Sequence, residues 1–411
     1  MTNDTFADTI LVTHSRTLPA QMSKKTSSLE CVELFAGAGG LALGFSASRV
    51  KHCAILEWNK YACDTIRANR RAHVAALAGW PEPLEIDVRD VDFSKYSDAS
   101  IVSGGVPCQP FSMGGLHRAN LDPRDMFPSA IRAVREVSPK AFVFENVRGL
   151  TRPSFANYFE YIRLCLEFPN LVPKRNEEWE EHLARLERHK TKGGMPEYRV
   201  VARVLDAADY GVPQRRHRVF IVGVKASLEK EFTFPDATHS QTSLLFDQYV
   251  SGEYWERHKI AKKRRRAPGA TLEQKINSIR DVLHETMLLP WRTVRDAISD
   301  LPDPTKGGDG VQAHVYQPGA RSYAGHTGSP FDEPAKALKS GVHGVPGGEN
   351  ALRDLDGNVR YFTVRESARL QCFPDEFSFS GSWSEAMRQL GNAVPVRLAS
   401  AVSSRVVATI G

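Results

Sequence analysis

No two of the six cysteines, at 31, 53, 63, 108, 165 and 372, stand as a CxxC pair. That scatter argues against a disulfide framework and a cysteine-rich zinc cluster, and it suits a reducing compartment. No apolar run approaches the roughly 18 residues of a membrane span. The first 28 residues are polar and rich in Ser and Thr, without the apolar core of a secretory signal, and read as a loosely ordered extension. There is no internal repeat and no acidic excess. The formal charge is +6 and the sequence pI is near 8.9, which suits a polyanionic partner without demanding one. The expectation is a cytoplasmic protein. Its 411 residues, 41 % hydrophobic and 25 % charged, suffice for two domains or one large domain with an insertion.

Apolar, β-branched runs alternate with amphipathic segments, which predicts an α/β fold around a mostly parallel sheet. The strand candidates are SLECVELFAG, HCAILEW, PLEIDV, ASIVSGG, AFVFENV, YRVVARVLDA and HRVFIVGV. Helices are expected at LALGFSAS, YACDTIRANRRAHVAALAG and DMFPSAIRAVREV, and a charged helical insertion at 174–192. From 226 to 357 the periodicity weakens, and Gly, Pro, His and basic residues become denser. Helical spacing then returns. The expected layout is an extension over 1–28, a first domain over 29–225 with its return over 358–411, and an inserted domain over 226–357.

Ligands of open parallel sheets bind beyond the carboxyl ends of the strands. After the first strand comes Phe35-Ala36-Gly37-Ala38-Gly39-Gly40, where glycines allow a tight turn close to a ligand. Glu57 ends the second strand, twenty residues beyond Gly37, where dinucleotide folds place a ribose-binding acid; a solvated glutamate looks the same. Trp58 either stacks on an adenine or plugs the core. Asp87, ending the third strand, accepts from an adenine amino group or caps the next turn.

The fourth strand runs into GGVPCQPFS, which sets Cys108 on a loop collared by Gly and Pro, after Pro107. A packing cysteine needs no such collar; a reactive thiol that must be aimed does. Glu145 interrupts the apolar strand AFVFENV, as a salt-bridge partner or as an acid of raised pKa. In QRRHR, Arg216 and Arg218 alternate onto one side of a strand, as ligands of substrate and phosphate or as a basic strand edge.

In their order along the chain, FAGAGG, LEW, GGVPCQPFS, FENV, QRRHR, RESARLQCFPD and GNAVP resemble the DNA cytosine-5 methyltransferase family over residues 31–399. The resemblance implies a Rossmann-like catalytic domain and a smaller target-recognition domain, here 226–357. It implies S-adenosylmethionine as methyl donor, held by Phe35, Ala36, Gly37, Gly39, Gly40, Glu57, Trp58, Asp87 and Pro107, with Asn392 beside them, and no metal. It implies Cys108 as nucleophile, Glu145 engaging the base, and Arg216 and Arg218 in support. The expected substrate is a cytosine flipped out of a short specific sequence in double-stranded DNA. The compact layout suits a prokaryotic restriction–modification or solitary enzyme. A monomer at the nucleoid is expected, with room for a companion restriction endonuclease.

Cations at 257, 259 and 262–266, against the single acid Glu256, suit phosphate contact or a solvated linker. Three other readings stand beside this one: an RNA cytosine-5 methyltransferase, a nicotinamide-dependent oxidoreductase and a catalytically silent DNA-binding protein. The second leaves PCQ and ENV without a role.

Overall fold

The structure is a computed structural model that describes residues 28–107, 125–265, 267–280, 288–307, 310–322, 327–341 and 350–411. All seven expected strands form one sheet. They are β1 (Glu30–Leu34), β2 (Lys51–Glu57), β3 (Leu84–Glu85), β4 (Ile101–Gly105), β5 (Ala141–Val147), β6 (Tyr198–Asp206) and β7 (His217–Lys225). Their order is β3-β2-β1-β4-β5-β7-β6. The pairs from β3 to β5 are parallel, whereas β7 runs antiparallel to both β5 and β6. The chain leaves β1 first toward β2 and later toward β4, so the switch point lies between β1 and β4.

Strand alternation divides the core. Val32, Leu34, Val102, Phe142 and Phe144 face helices α3 and α4, while Cys31, Ile101, Val143, Phe220 and Val222 share the other core with α1. Here α1 is Gly40–Ala47, α2 Lys60–Arg71, α3 Phe127–Val137, α4 Ala156–Glu167 and α5 Trp179–Thr191. The charged insertion is thus a helix, opened by a capping box between Glu178 and Glu181.

Helix α2 stops eight residues short of the expected run. Asn69 exchanges hydrogen bonds with the Ser378 backbone at 2.7 and 2.8 Å, and His73 turns the chain at φ 54°. The second core is closed by helix Val396–Ile410, which lies on α1. A Cβ at Gly44 would stand 2.4 Å from the Ala399 Cβ, so only glycine permits this approach.

The run Trp383–Ile410 corrects one expectation, since it is apolar and long enough to cross a membrane. It is broken at Ala393–Pro395, and Leu398, Val402 and Val406 bury against Leu41 and Phe45. Burial in that core accounts for its composition.

Between Ser240 and Phe362 the chain builds smaller cores, one around Tyr254, Trp255 and Trp291 and another around Val294, Ile298, Leu352 and Phe362. A hairpin of Ala351–Arg353 and Val359–Tyr361 runs across residue 357, where sequence texture suggested a boundary.

Candidate active site

The loop after β1 is shaped by backbone. Phe35, Gly37 and Gly39 have φ of 52°, 54° and 91°. A side chain could not replace hydrogen at Gly40, whose added Cβ would meet the Val394 carbonyl at 2.3 Å. Beyond Gly39, α1 begins without a side-chain cap or an acidic residue in its first turn, leaving its amide dipoles uncompensated. Ala36 is buried and ties the loop to β2 through its amide, which donates to the Leu56 carbonyl at 3.1 Å.

Glu57 is the organising carboxylate. Gly37 N–H donates to Oε2 and Asn59 N–H to Oε1, each at 2.7 Å. Burial raises its pKa and these amides oppose the rise. Each oxygen retains lone-pair capacity for a ligand hydroxyl. Beside it Trp58 is 73 % exposed, so it does not plug the core. An indole face left in water next to a buried carboxylate and an open glycine loop fits an adenosine: base on Trp58, ribose on Glu57. Asp87 caps the turn Val88–Asp90 and its carboxylate is paired with Arg89, at 2.5 Å. The capping role is therefore the one seen. Asn392 is exposed at the end of helix Trp383–Asn392, and the Val394 segment carries it past Gly40.

Trp58→Ala tests this half of the site. With so little of the side chain buried, stability should change by less than about 0.5 kcal/mol. Affinity for S-adenosylmethionine, measured by calorimetry, should fall roughly fivefold, the ~1 kcal/mol of a stacked ring. Unchanged affinity would remove Trp58 from the cofactor site.

The other half lies one strand from β4. Gly104 lets β4 press against β1, since a Cβ there would stand 2.6 Å from the Leu34 carbonyl. Gly105 pairs with Glu145 in register, and the carboxyl lies over it. Because β7 is antiparallel to β5, its first residues reach the carboxyl edge, with Arg218 opposite Val147. Arg218 Nε lies 2.7 Å from Glu145 Oε1. That oxygen is fully buried, with the Arg218 guanidinium against it. Burial pushes the Glu145 pKa up, against the pull of the Arg218 and Arg216 charges.

The two arginines differ in what they touch. Arg216 is 1 % exposed and donates to the Leu338 carbonyl at 2.8 Å and the Gly391 carbonyl at 2.5 Å. It joins three distant segments, a structural task that strand alternation gave no sign of. Arg216→Ala should cost about 3 kcal/mol by leaving two buried carbonyls unpaired. Arg218→Ala should instead lower turnover roughly a hundredfold. Thermal melts and single-turnover rates on both variants check the division.

Sequence reasoning gave Asn146 no task. Its amide donates to the Val106 carbonyl at 3.2 Å, and its own Oδ1 accepts from Val147 N–H. It therefore fixes the end of β4 just before Pro107, the last described residue on that side. The signal was present in ENV, as a second polar residue ending an apolar strand. Cys108 lies outside the described residues. In the basic run, Arg257 is spent on Asp247 at 3.2 Å. The groove of about 900 Å³ that includes Lys263, Arg264 and Arg265 also contains Arg215, Arg353 and four acids, Asp332, Glu333, Asp354 and Asp356.

A sheet with one reversed strand, a glycine loop and a strand-end acid define an S-adenosylmethionine-dependent methyltransferase fold. The family model described as C-5 cytosine-specific DNA methylase matches residues 29–168 and 169–408. M.NgoMIV, a type II methyltransferase of Neisseria gonorrhoeae, is 32 % identical over 381 residues, 92 % of this chain and 96 % of that one. M.Eco47II of Escherichia coli is 31 % identical over 382 residues, 92 % of this chain and 78 % of that one. In fold, the chain is similar to the S. pombe Dnmt2 methyltransferase, with a TM-score of 0.54 at 17 % identity over 92 % of this chain and 98 % of that one. The chain belongs to the C-5 cytosine-specific DNA methylase family and is a DNA cytosine-5 methyltransferase of the prokaryotic restriction–modification type, with S-adenosylmethionine as its methyl donor.

Proposed function

We propose that the chain methylates one cytosine within a short double-stranded sequence through a covalent bond from Cys108 to carbon 6. Carbon 5 of cytosine is a poor nucleophile until aromaticity is broken. Addition of the Cys108 thiolate to C6 forms the S–C6 bond and moves an electron pair toward N3 and O2. Glu145 donates a proton or hydrogen bond at N3, and Arg218 steadies the carboxyl and the charge growing at O2. S-adenosylmethionine supplies, when bound, the electrophilic sulfonium methyl that the activated C5 requires. Phe35, Ala36, Gly37, Gly39, Gly40, Glu57 and Trp58 hold it, with Asp87, Pro107 and Asn392 at the margin. Loss of the C5 proton to a base, for which water serves, returns the electron pair and breaks the S–C6 bond.

The observation that carries this reading is the Arg218–Glu145 contact, which keeps a buried carboxyl at the carboxyl edge next to β4. The target base must leave the stack to reach such a site, at a cost of a few kcal/mol. The region 226–357 holds the duplex and reads flanking bases in this proposal. The enzyme acts as a monomer on nucleoid DNA in the cytoplasm, beside an endonuclease of the same specificity. Mapping 5-methylcytosine in DNA from cells that express the chain tests the reading. Methylation at one short motif supports it. Methyl groups found only in RNA would turn it to the RNA-modifying alternative.

A further inference from the structure

Beneath the glycine loop, three strands bring together four polar side chains that the site described above leaves out. Cys31 and Glu33 point to the same face of β1. In register, His52 of β2 stands beside Cys31, and Ser103 of β4 beside Glu33. All four are 0–5 % exposed. The ligating atoms of Cys31, Glu33 and His52 lie within 4.8 Å of one another. The Cys31 Sγ is 3.0 Å from the Ser103 Oγ, and the Ser103 hydroxyl donates to Glu33 Oε2.

Two buried atoms in this group accept no hydrogen bond: Glu33 Oε1 and His52 Nδ1. Their state follows from their neighbours. His52 Nε2 lies 3.0 Å from the Ala42 carbonyl, which can only accept, so the proton is on Nε2 and Nδ1 presents a lone pair. That is the tautomer of a metal-binding histidine, whose other nitrogen donates to a backbone carbonyl. Burial pushes the Cys31 thiol well above its ordinary range and the Glu33 carboxyl up to about 8, so both keep their protons until a cation displaces them.

We propose that Cys31, Glu33 and His52, with the Ser103 hydroxyl at the fourth corner, form a structural site for one divalent transition-metal ion, zinc by its donor set. Binding a dication would release the thiol and carboxyl protons and balance the two anions that form, and sulfur, nitrogen and oxygen donors in a closed shell of four suit zinc. Bond lengths of ~2.0–2.3 Å set donor–donor separations of roughly 3.3–3.7 Å, so the wider pairs draw in by about 1 Å. The ion ties β1, β2 and β4 together, the strands that lead to the glycine loop, Glu57 and Cys108. It takes no part in the reaction.

The test uses the full chain, untagged and purified without chelator from zinc-supplemented medium. Elemental analysis should find about one zinc per chain, and cobalt(II) exchange should give a thiolate-to-metal charge-transfer band. Cys31→Ser and His52→Ala should each weaken zinc binding by at least tenfold, on the order expected for loss of a ligand. Cys53→Ser, which removes a neighbouring thiol outside the site, should keep both signals. Wild-type protein without stoichiometric zinc and without the cobalt band overturns the proposal, as does a band that survives in Cys31→Ser. If the ligand variants fail to fold, X-ray absorption on the wild-type zinc protein decides. One sulfur in the shell supports the site; none, or several, overturns it.

Discussion

Cys108→Ser should leave a chain that folds and binds both S-adenosylmethionine and DNA yet transfers no methyl group. Serine is nearly the same size as cysteine. What it loses is an ionisable, polarisable nucleophile that can add to C6 and later depart. A serine hydroxyl stays protonated at neutral pH, and no histidine is assigned to take its proton. The drop in turnover should be on the order of 10⁵-fold or more, the scale seen when enzymes lose a nucleophile outright. Tritium transfer into duplex DNA measures the rate, and calorimetry with S-adenosylmethionine verifies the intact cofactor site. Persisting methylation would exclude Cys108 as the nucleophile. Loss of cofactor binding together with activity would instead assign the residue a structural task.

The candidate edge was legible because a parallel sheet delivers its strand ends to one side. Once seven β-branched runs were recognised, Phe35–Gly40, Glu57, Pro107 and Glu145 had to converge. Arg216 and Arg218 could not be told apart in the same way. Alternation set them on one side of a strand, but their tasks depend on segments far along the chain, Leu338 and Gly391 for one and Glu145 for the other. The early end of α2 has the same origin. Its periodicity continues past Arg71, but Asn69 is claimed by Ser378, which no local pattern encodes. Cysteine spacing argued against a cysteine-rich zinc cluster and could say nothing of a mixed site, for a related reason. Cys31, Glu33 and His52 become neighbours only through the register of β1 on β2, and a mixed ligand set has no spacing signature.

Glu145→Gln should lower turnover by about 10²–10³-fold while leaving cofactor affinity unchanged, since β1 and β4 stand between its strand and that of Glu57. Glutamine retains an N–H donor for N3 but cannot release a proton to it, so part of the electrostatic help survives. The pH profile separates this role from simple packing. Burial holds the Glu145 carboxyl above the ordinary carboxylate range, with Arg218 and Arg216 working against it. The protonated form is the donor, so activity should be highest below this raised pKa and fall as pH climbs through it. Attack by Cys108 requires the thiolate and makes the opposite demand, limiting the rate at low pH. Wild-type single-turnover rates should therefore show two limbs. In Glu145→Gln the alkaline limb should vanish and the acid limb should remain. If the alkaline limb persists unchanged in the glutamine variant, another group controls it. The Arg218–Glu145 contact would then hold the sheet edge together without acting on the base.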